Sequence, residues 1–119
     1  MKVIFAKAIL KKENINAQEK ELILKAFKKG IFIIIKGNNL PSNSELIKIY
    51  MTTIWGARRI VFLIDTLTKN GFFLFYRSKN DLLGENISIK NNLFKEILKK
   101  YLLLLNSALR NKEYEIIEI

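Results

Sequence analysis

The chain has 119 residues, a formal net charge of +10, and neither cysteine nor histidine. That length suits one domain with one hydrophobic core, which we predict over residues 1–119. The missing residue types exclude a disulfide framework, cysteine-bound zinc and catalytic triads that need His or Cys. We therefore predict no metal and no cofactor, and any chemistry has to come from Lys, Arg, Tyr, Asp or Glu.

The excess of positive charge arises from 21 Lys and Arg against 11 Asp and Glu. Such an excess favours a polyanionic partner, namely RNA, DNA, an anionic membrane surface or an acidic protein, although a Lys-rich surface can also serve solubility alone. No apolar run approaches the roughly 20 residues that span a bilayer. The opening segment meets a charge at Lys7, too early for a signal-peptide core. We therefore expect a cytoplasmic protein without a membrane partner.

The first half of the chain predicts a strand, a helix and a loop. Residues 2–10 form a short apolar segment that could be a first strand. Asn16 followed by Glu19 resembles a capping box, and helical spacing over residues 17–29 predicts a helix that ends at Gly30. Residues 31–35 favour a buried strand, but their period also fits a helix tail. Residues 36–44 predict a loop.

The second half predicts three strands and a long helix. Residues 46–53, 58–65 and 72–77 are strand candidates with short connections, so they form an antiparallel meander. A helix over residues 91–109 should turn one apolar stripe inward: Leu93, Phe94, Ile97, Leu98, Tyr101, Leu102 and Leu105. The tail, residues 114–119, is a strand or an extended partner segment.

These elements predict an α+β fold. Its small antiparallel sheet consists of the three-stranded meander and the N-terminal strand. The sheet packs against the N-terminal helix and the long C-terminal helix.

Basic residues at the strand ends are the main candidates for a site. Arg58 and Arg59 begin a strand, and because side chains alternate across a strand, only one of them can share a face with the neighbouring cations. Arg77 and Lys79 have the same parity, and Lys48 lies on the preceding strand. Together these side chains could form a basic face that holds a phosphodiester and stabilises charge at phosphorus. Solvated charges at strand ends are the alternative.

Three aromatic side chains lie close to these charges in the sequence. Trp55, Tyr50 and Tyr76 could stack on unpaired bases. Such residues more often belong to the core.

At this point the chain resembles the RelE/HigB-type toxins of bacterial type II toxin–antitoxin systems. Three segments carry the resemblance. Residues 56–62, GARRIVF, resemble the family's Gly-aromatic-Arg strand, and residues 72–81 resemble its apolar strand ending in Lys-Asn-Glu, with Asp81 in place of Glu. Residues 104–109, followed by 115–118, resemble its closing helix and acidic-apolar tail. The basic loop of the family is replaced here by residues 51–55.

The resemblance implies a RelE-like fold and a metal-independent mRNA endoribonuclease, free or ribosome-associated, that a cognate antitoxin neutralises. Cleavage would proceed by attack of the ribose 2′-hydroxyl on the adjacent phosphate. Carried over by position, the catalytic residues are Arg58, Lys79 and Lys48, with Arg58 as the phosphate clamp. The expected RNA-binding residues are Arg59, Arg77, Tyr76, Trp55 and Tyr50.

Two other functional readings remain open. The chain could be a non-catalytic RNA-, DNA- or ribosome-binding module, for example a degenerate toxin. It could also be an interaction protein whose basic face meets an acidic partner.

Overall fold

A six-stranded mixed sheet is the centre of the computed structural model, which describes residues 1–36, 40–85, 87–88 and 90–119. The strands are β1 (Lys2–Ala6), β2 (Ile33–Ile35), β3 (Ser44–Thr53), β4 (Gly56–Asp65), β5 (Gly71–Ser78) and β6 (Tyr114–Glu118). The helices of these residues are α1 (Lys7–Lys12), α2 (Ala17–Lys29), α3 (Leu82–Glu85) and α4 (Asn92–Asn111). The predicted α+β class is thus confirmed.

The strand order is β2-β3-β4-β5-β1-β6. Strands β2 to β5 are antiparallel neighbours in chain order, whereas β1 pairs with β5 in parallel and β6 pairs with β1 antiparallel. The sheet is therefore larger than the predicted three-stranded meander with one N-terminal strand. Two segments whose conformation the sequence left open account for the difference, since residues 33–35 and 114–118 both join the sheet.

The first predicted strand is too long. It ends at Ala6, and the chain turns directly into α1, within which Ile9 is fully buried. The apolar pattern is continuous over residues 3–6, where both faces of β1 are covered, and only afterwards is it broken by lysines. A helix over residues 7–12 keeps Ile9 in the core and turns the lysines to solvent.

Helix α2 begins and ends where the sequence predicts. The Asn16 side chain accepts a hydrogen bond from the Glu19 backbone N–H at 2.7 Å, and the Glu19 carboxylate accepts one from the Asn16 backbone N–H at 3.1 Å. Gly30 closes the helix with a φ of 72°, a left-handed conformation that costs glycine little. The predicted capping box and C-cap are both confirmed.

Helix α4 also matches its prediction closely. Asn91 is its N-cap, and its side chain accepts a hydrogen bond from the Leu93 backbone N–H at 3.0 Å. The buried residues of this helix are Phe94, Leu98, Tyr101, Leu105 and Ala108. Leu93, which we expected to face inward, is 40% exposed because it lies at the margin of this buried stripe, whereas the next residue, Phe94, is fully buried.

The structure describes the turn predicted after β4 in full and the loop predicted over residues 36–44 in part. In the turn after β4, the Asp65 carboxylate accepts hydrogen bonds from the backbone N–H groups of Leu67, at 2.8 Å, and Thr68, at 3.3 Å. Side-chain acceptance of this kind stabilises a turn without help from the sheet. Of the loop predicted over residues 36–44, residues 37–39 lie outside the described residues.

Helices cover both faces of the sheet. On one face, Phe27 of α2 packs on Phe62, with ring centroids 4.6 Å apart. On the other, Phe75 stacks on Tyr101 of α4 at 4.6 Å. A register shift between Val61 and Phe62 marks a bulge, which places Phe73 against Phe62 while Phe75 meets α4. The bulge thereby lets one strand supply aromatic side chains to both halves of the core.

Glu13, directly after α1, completes the edge of β5 where β1 has left it. Its side chain is fully buried and accepts a hydrogen bond from the Tyr76 backbone N–H at 2.8 Å. It also accepts from Arg77 Nη2 at 2.6 Å and from the Tyr101 hydroxyl at 2.7 Å. Burial and the Glu13 hydrogen bond raise the pKa of Tyr101 to about 12. One carboxylate thus joins α1, β5 and α4.

We expect the substitution Glu13→Gln to lower the free energy of unfolding by about 3 kcal/mol. Breaking one side of a buried ion pair costs roughly 3–5 kcal/mol, and Arg77 keeps some contact with water, which places the effect at the low end. Urea unfolding measures it. Glu21→Gln, on the exposed side of α2, is the control and should change stability little. Equal effects of the two substitutions would contradict the role of Glu13.

Tyr101 gives a second expectation, concerning pH. Because its pKa is about 12 in the fold and 10.0 ordinarily, the native state keeps the proton that the unfolded chain loses. Its contribution to stability is therefore complete below pH 10 and falls as the pH rises towards 12. Tyr101→Phe should remove this part of the slope, measured by unfolding at several pH values. Parallel stability curves for the two proteins would refute the assignment.

Candidate nucleic-acid interface

The cations predicted for the site separate onto the two faces of the sheet. The register places Arg59 between Tyr50 on β3 and Arg77 on β5, whereas Arg58 lies opposite Ser78. Because neighbouring residues of a strand point to opposite faces, Arg58 and Arg59 are divided by the sheet. The sequence predicted that only one of the two arginines could join the other cations, and the structure selects Arg59.

A cavity of about 300 Å³ lies on the face that carries Arg59. Its lining residues are Lys48, Tyr50, Arg59, Lys79, Asn80, Gly84, Glu85, Ile87 and Ser88. We call this cavity the basic groove. Three of the predicted site residues, Lys48, Arg59 and Lys79, give it three positive charges against the single carboxylate of Glu85 among the described lining residues.

Helix α3 forms one wall of the basic groove. The Asp81 carboxylate starts this helix by accepting hydrogen bonds from the backbone N–H groups of Leu83, at 2.8 Å, and Gly84, at 3.3 Å. A Cβ atom on Gly84 would overlap the Ser78 carbonyl oxygen, so only glycine permits such close contact between α3 and the end of β5. This contact brings Glu85 back over the sheet.

Tyr50 lies among the cations of the groove. The Arg59 guanidinium carbon is 4.1 Å from the centre of its ring, and Lys48 Nζ is 5.6 Å from it. Lys48 also donates to the Ile87 carbonyl at 3.3 Å. The ring is half exposed, and a base that stacked on it would compete with these cation–π contacts. Tyr50 thus fixes the two cations as well as offering an aromatic surface.

Arg77 shares the face of Arg59 but is committed to internal partners. Its guanidinium binds the Glu13 carboxylate through Nε and Nη2 and the Asp81 carboxylate at 3.3 Å. The hydrogen bond to Glu13 raises the pKa of Arg77 above its ordinary value. Its predicted role in binding RNA is therefore not supported by its position, whereas a structural role is.

Arg58 and Tyr76 line a second cavity, of about 390 Å³, on the opposite face. Arg58 Nη1 donates to the backbone carbonyls of Ala57, at 3.2 Å, and Trp55, at 3.4 Å. Tyr76 is only 6% exposed, and burial raises its pKa. The nearby Arg58 guanidinium offsets part of that rise, although it is not in hydrogen-bonding geometry with the hydroxyl. The structure does not bring these two predicted site residues to Lys48 and Lys79.

Trp55 lies at the tip of the hairpin between β3 and β4 and is half exposed, next to Ile54. The Thr53 hydroxyl accepts a hydrogen bond from the Trp55 backbone N–H at 3.1 Å, which shapes the two-residue turn. Trp55 is not among the described residues that line the basic groove. It can contact only a polymer that extends beyond the groove along the hairpin.

Sequence reasoning missed two carboxylates, Glu13 and Glu85. Glu13 had no signal, because its partners are more than 60 residues away along the chain. Glu85 had a weak signal in the sequence. Asp81 is a residue type that often begins a helix, and a helix that begins there brings Glu85, one turn later, back towards the end of β5. The signal was the presence of acidic residues close in sequence to the basic end of a predicted strand.

The described residues contain no group of three or more Asp, Glu, His or Cys side chains able to hold a metal ion. None of their helices is both long and apolar enough to cross a membrane. Searches of protein-family models, curated proteins and solved structures find no match to this chain.

The two neighbouring arginines provide a matched test of the basic groove. We expect Arg59→Ala to weaken binding of a fluorescent single-stranded RNA about tenfold and to lower the salt slope of log K by about 0.7, as the loss of one phosphate contact does. Arg58→Ala, which alters the other face, should leave both quantities close to wild type. Fluorescence anisotropy at several salt concentrations measures them. Equal losses for both variants would show that binding depends on overall charge, without a specific groove.

Proposed function

We propose that this chain binds single-stranded RNA in the basic groove and cleaves it without a metal, as an mRNA endoribonuclease toxin of the RelE/HigB type. The observation that carries the proposal is the convergence of Lys48, Arg59 and Lys79 around one cavity, beside Tyr50 and Glu85. Such a set can neutralise a phosphodiester and also move a proton. The resemblance described above supplies the reaction type.

Size and charge favour a nucleic-acid backbone as the ligand. About 300 Å³ is at the lower end of the range for ligand cavities, so the groove suits one phosphodiester with its ribose. Cations around an exposed aromatic ring are typical of sites that track single strands, because every base has a face that can stack. The net charge of +10 adds a long-range attraction for RNA.

Among the described residues that line the groove, Glu85 carries the carboxylate that can act as a general base. In the proposed reaction its carboxylate takes the proton of the ribose 2′-hydroxyl, and the 2′-oxygen then attacks phosphorus. The bond from phosphorus to the 5′-oxygen breaks, leaving a 2′,3′-cyclic phosphate, and Lys79 protonates the departing oxygen. Arg59 and Lys48 stabilise the negative charge that accumulates on the phosphoryl oxygens.

The substitution Glu85→Gln separates cleavage from binding. We expect cleavage of single-stranded RNA to fall about 10²–10⁴-fold, as loss of a general base does, while binding stays within a factor of two or so because no phosphate contact is lost. The assay contains EDTA, and an oligonucleotide with deoxyribose at the cleaved position should remain intact. Cleavage of that deoxy substrate, or unchanged cleavage by Glu85→Gln, would refute this mechanism.

The biological part of the proposal concerns growth. Expression of the wild-type chain should arrest bacterial growth and degrade mRNA, on or off the ribosome, and a cognate antitoxin should relieve the arrest. Glu85→Gln, expressed to the same level, should not arrest growth. Strong expression of folded wild-type protein without arrest would count against a toxin.

A second candidate is a non-catalytic RNA-, DNA- or ribosome-binding module. The position of Arg58 favours it, because the resemblance makes this residue the phosphate clamp while the fold puts it on the face opposite Lys48 and Lys79. It predicts salt-sensitive binding that Arg59→Ala weakens, with no cleavage by the wild-type protein under any condition that supports binding.

A further inference from the structure

The two edges of the sheet differ in how they are protected against pairing with a strand of another chain. The outer strands are β6 and β2. Strand β6 carries Glu115 and Glu118, and Glu115 forms an ion pair with Lys20 at 2.6 Å. Charges on an edge strand discourage another chain from pairing with it. Strand β2 consists of three isoleucines, and no strand of the described residues pairs with its outer side.

The β2 edge also exposes a continuous apolar surface. Ile31 is 77% exposed, Phe32 46%, Ile33 48% and Ile34 53%. Four consecutive large apolar side chains in contact with water are unusual for a soluble domain and indicate a binding surface. We call these four residues together with Ile35 the β2 edge.

An apolar cavity of about 260 Å³ lies beside the β2 edge. Its apolar lining includes Phe27, Phe32, Ile47 and Ile64, and Ile47 is the residue opposite Ile34 in the sheet. Phe32 is the residue of the β2 edge that lines the cavity, so the cavity can receive one bulky apolar side chain from the end of an added strand that passes Phe32. The edge therefore offers backbone groups for pairing and a pocket for an anchor, which is the usual arrangement for recognition by strand addition.

The charges around this surface select the kind of strand that fits. Exposed lysines flank it in sequence at Lys28, Lys29 and Lys36, and Lys28 and Lys69 also line the cavity, opposite the single carboxylate of Glu45. A second copy of the chain would bring a further charge of +10 against them. An acidic segment would instead meet opposite charge.

We propose that the β2 edge is the docking site for an extended, acidic and apolar segment of another protein. The segment adds to β2 as a seventh strand, places an apolar side chain in the cavity and directs its carboxylates to the flanking lysines. This inference does not depend on RNA binding or cleavage, because the cavity at the β2 edge lies on the face of Ile47, whereas Lys48 points to the basic groove on the opposite face.

A pair of blocked peptides tests the proposal. EVFVEVE has the proposed chemistry, and KVFVKVK keeps the apolar residues but reverses the charge. In backbone amide NMR titrations of the full chain, EVFVEVE should shift the signals of residues 31–36 and 46–47 and bind at least about tenfold more tightly than KVFVKVK at low salt.

Variants locate the contact. Ile34→Asp should weaken EVFVEVE binding about tenfold, because it places a like charge on the edge. Phe32→Ser, which lies outside the strand, should weaken binding in the same direction and serves if Ile34→Asp does not fold. Leu103→Asp changes an exposed apolar residue on α4, 63% exposed against 53% for Ile34, and should have no effect.

Several outcomes would overturn the proposal. They are the absence of binding, equal affinity for the two peptides, shifts confined to the basic groove, and shifts of residues 31–36 that depend on protein concentration without peptide. The last result would identify a second copy of the chain as the occupant of the edge.

Discussion

The buried Glu13 carboxylate ties together three parts of the chain that are distant in sequence. Strand β1 pairs with β5 only at Val3 and Ile4; it stays paired with β6 as far as Ala6, after which the chain forms α1. The next stretch of β5 would then present backbone N–H groups to a helix that cannot bond them, and an unpaired buried N–H is costly. Glu13 meets this need with a side chain, and its charge is balanced by Arg77. The position of the strand end that carries the basic groove depends on this contact between Glu13 and Arg77.

Arg77 links the buried Glu13 to the basic groove. Because Glu13 and Asp81 hold its guanidinium, the arginine fastens the end of β5 to α1 and to the start of α3. Asp81 at the same time begins α3, so the position of Glu85 over the basic groove follows from the ion pair behind it. The cations left for a ligand are those without such partners in the described residues, above all Lys79 and Arg59. A structural ion pair and the basic groove thus share one strand end.

The sequence predicted what depends on local chemistry. The caps of α2 at Asn16 and Gly30 and the apolar stripe of α4 could be read directly, because neighbouring residues determine them. It also predicted that Arg58 and Arg59 would be divided. Which of them joins Lys48 depends on the register with β3 and β5, which no local pattern reveals. The turn of the chain into α1 after Ala6 and the partners of Glu13 require knowledge of what packs nearby, so they could not be predicted.

The neighbouring positions of β1 and β6 have a consequence for synthesis. Lys2 lies opposite Glu118, and β1 lies between β5 and β6 in the sheet, so β1 must wait for β6, which is synthesised more than 100 residues later. While the chain emerges from the ribosome, β3, β4 and β5 can pair as consecutive antiparallel strands, but β1 keeps one open edge until β6 has emerged. Contacts of such long sequence separation slow folding. The hairpins that carry the basic groove can therefore assemble early, while completion of the sheet is delayed until β6 is available to pair with β1.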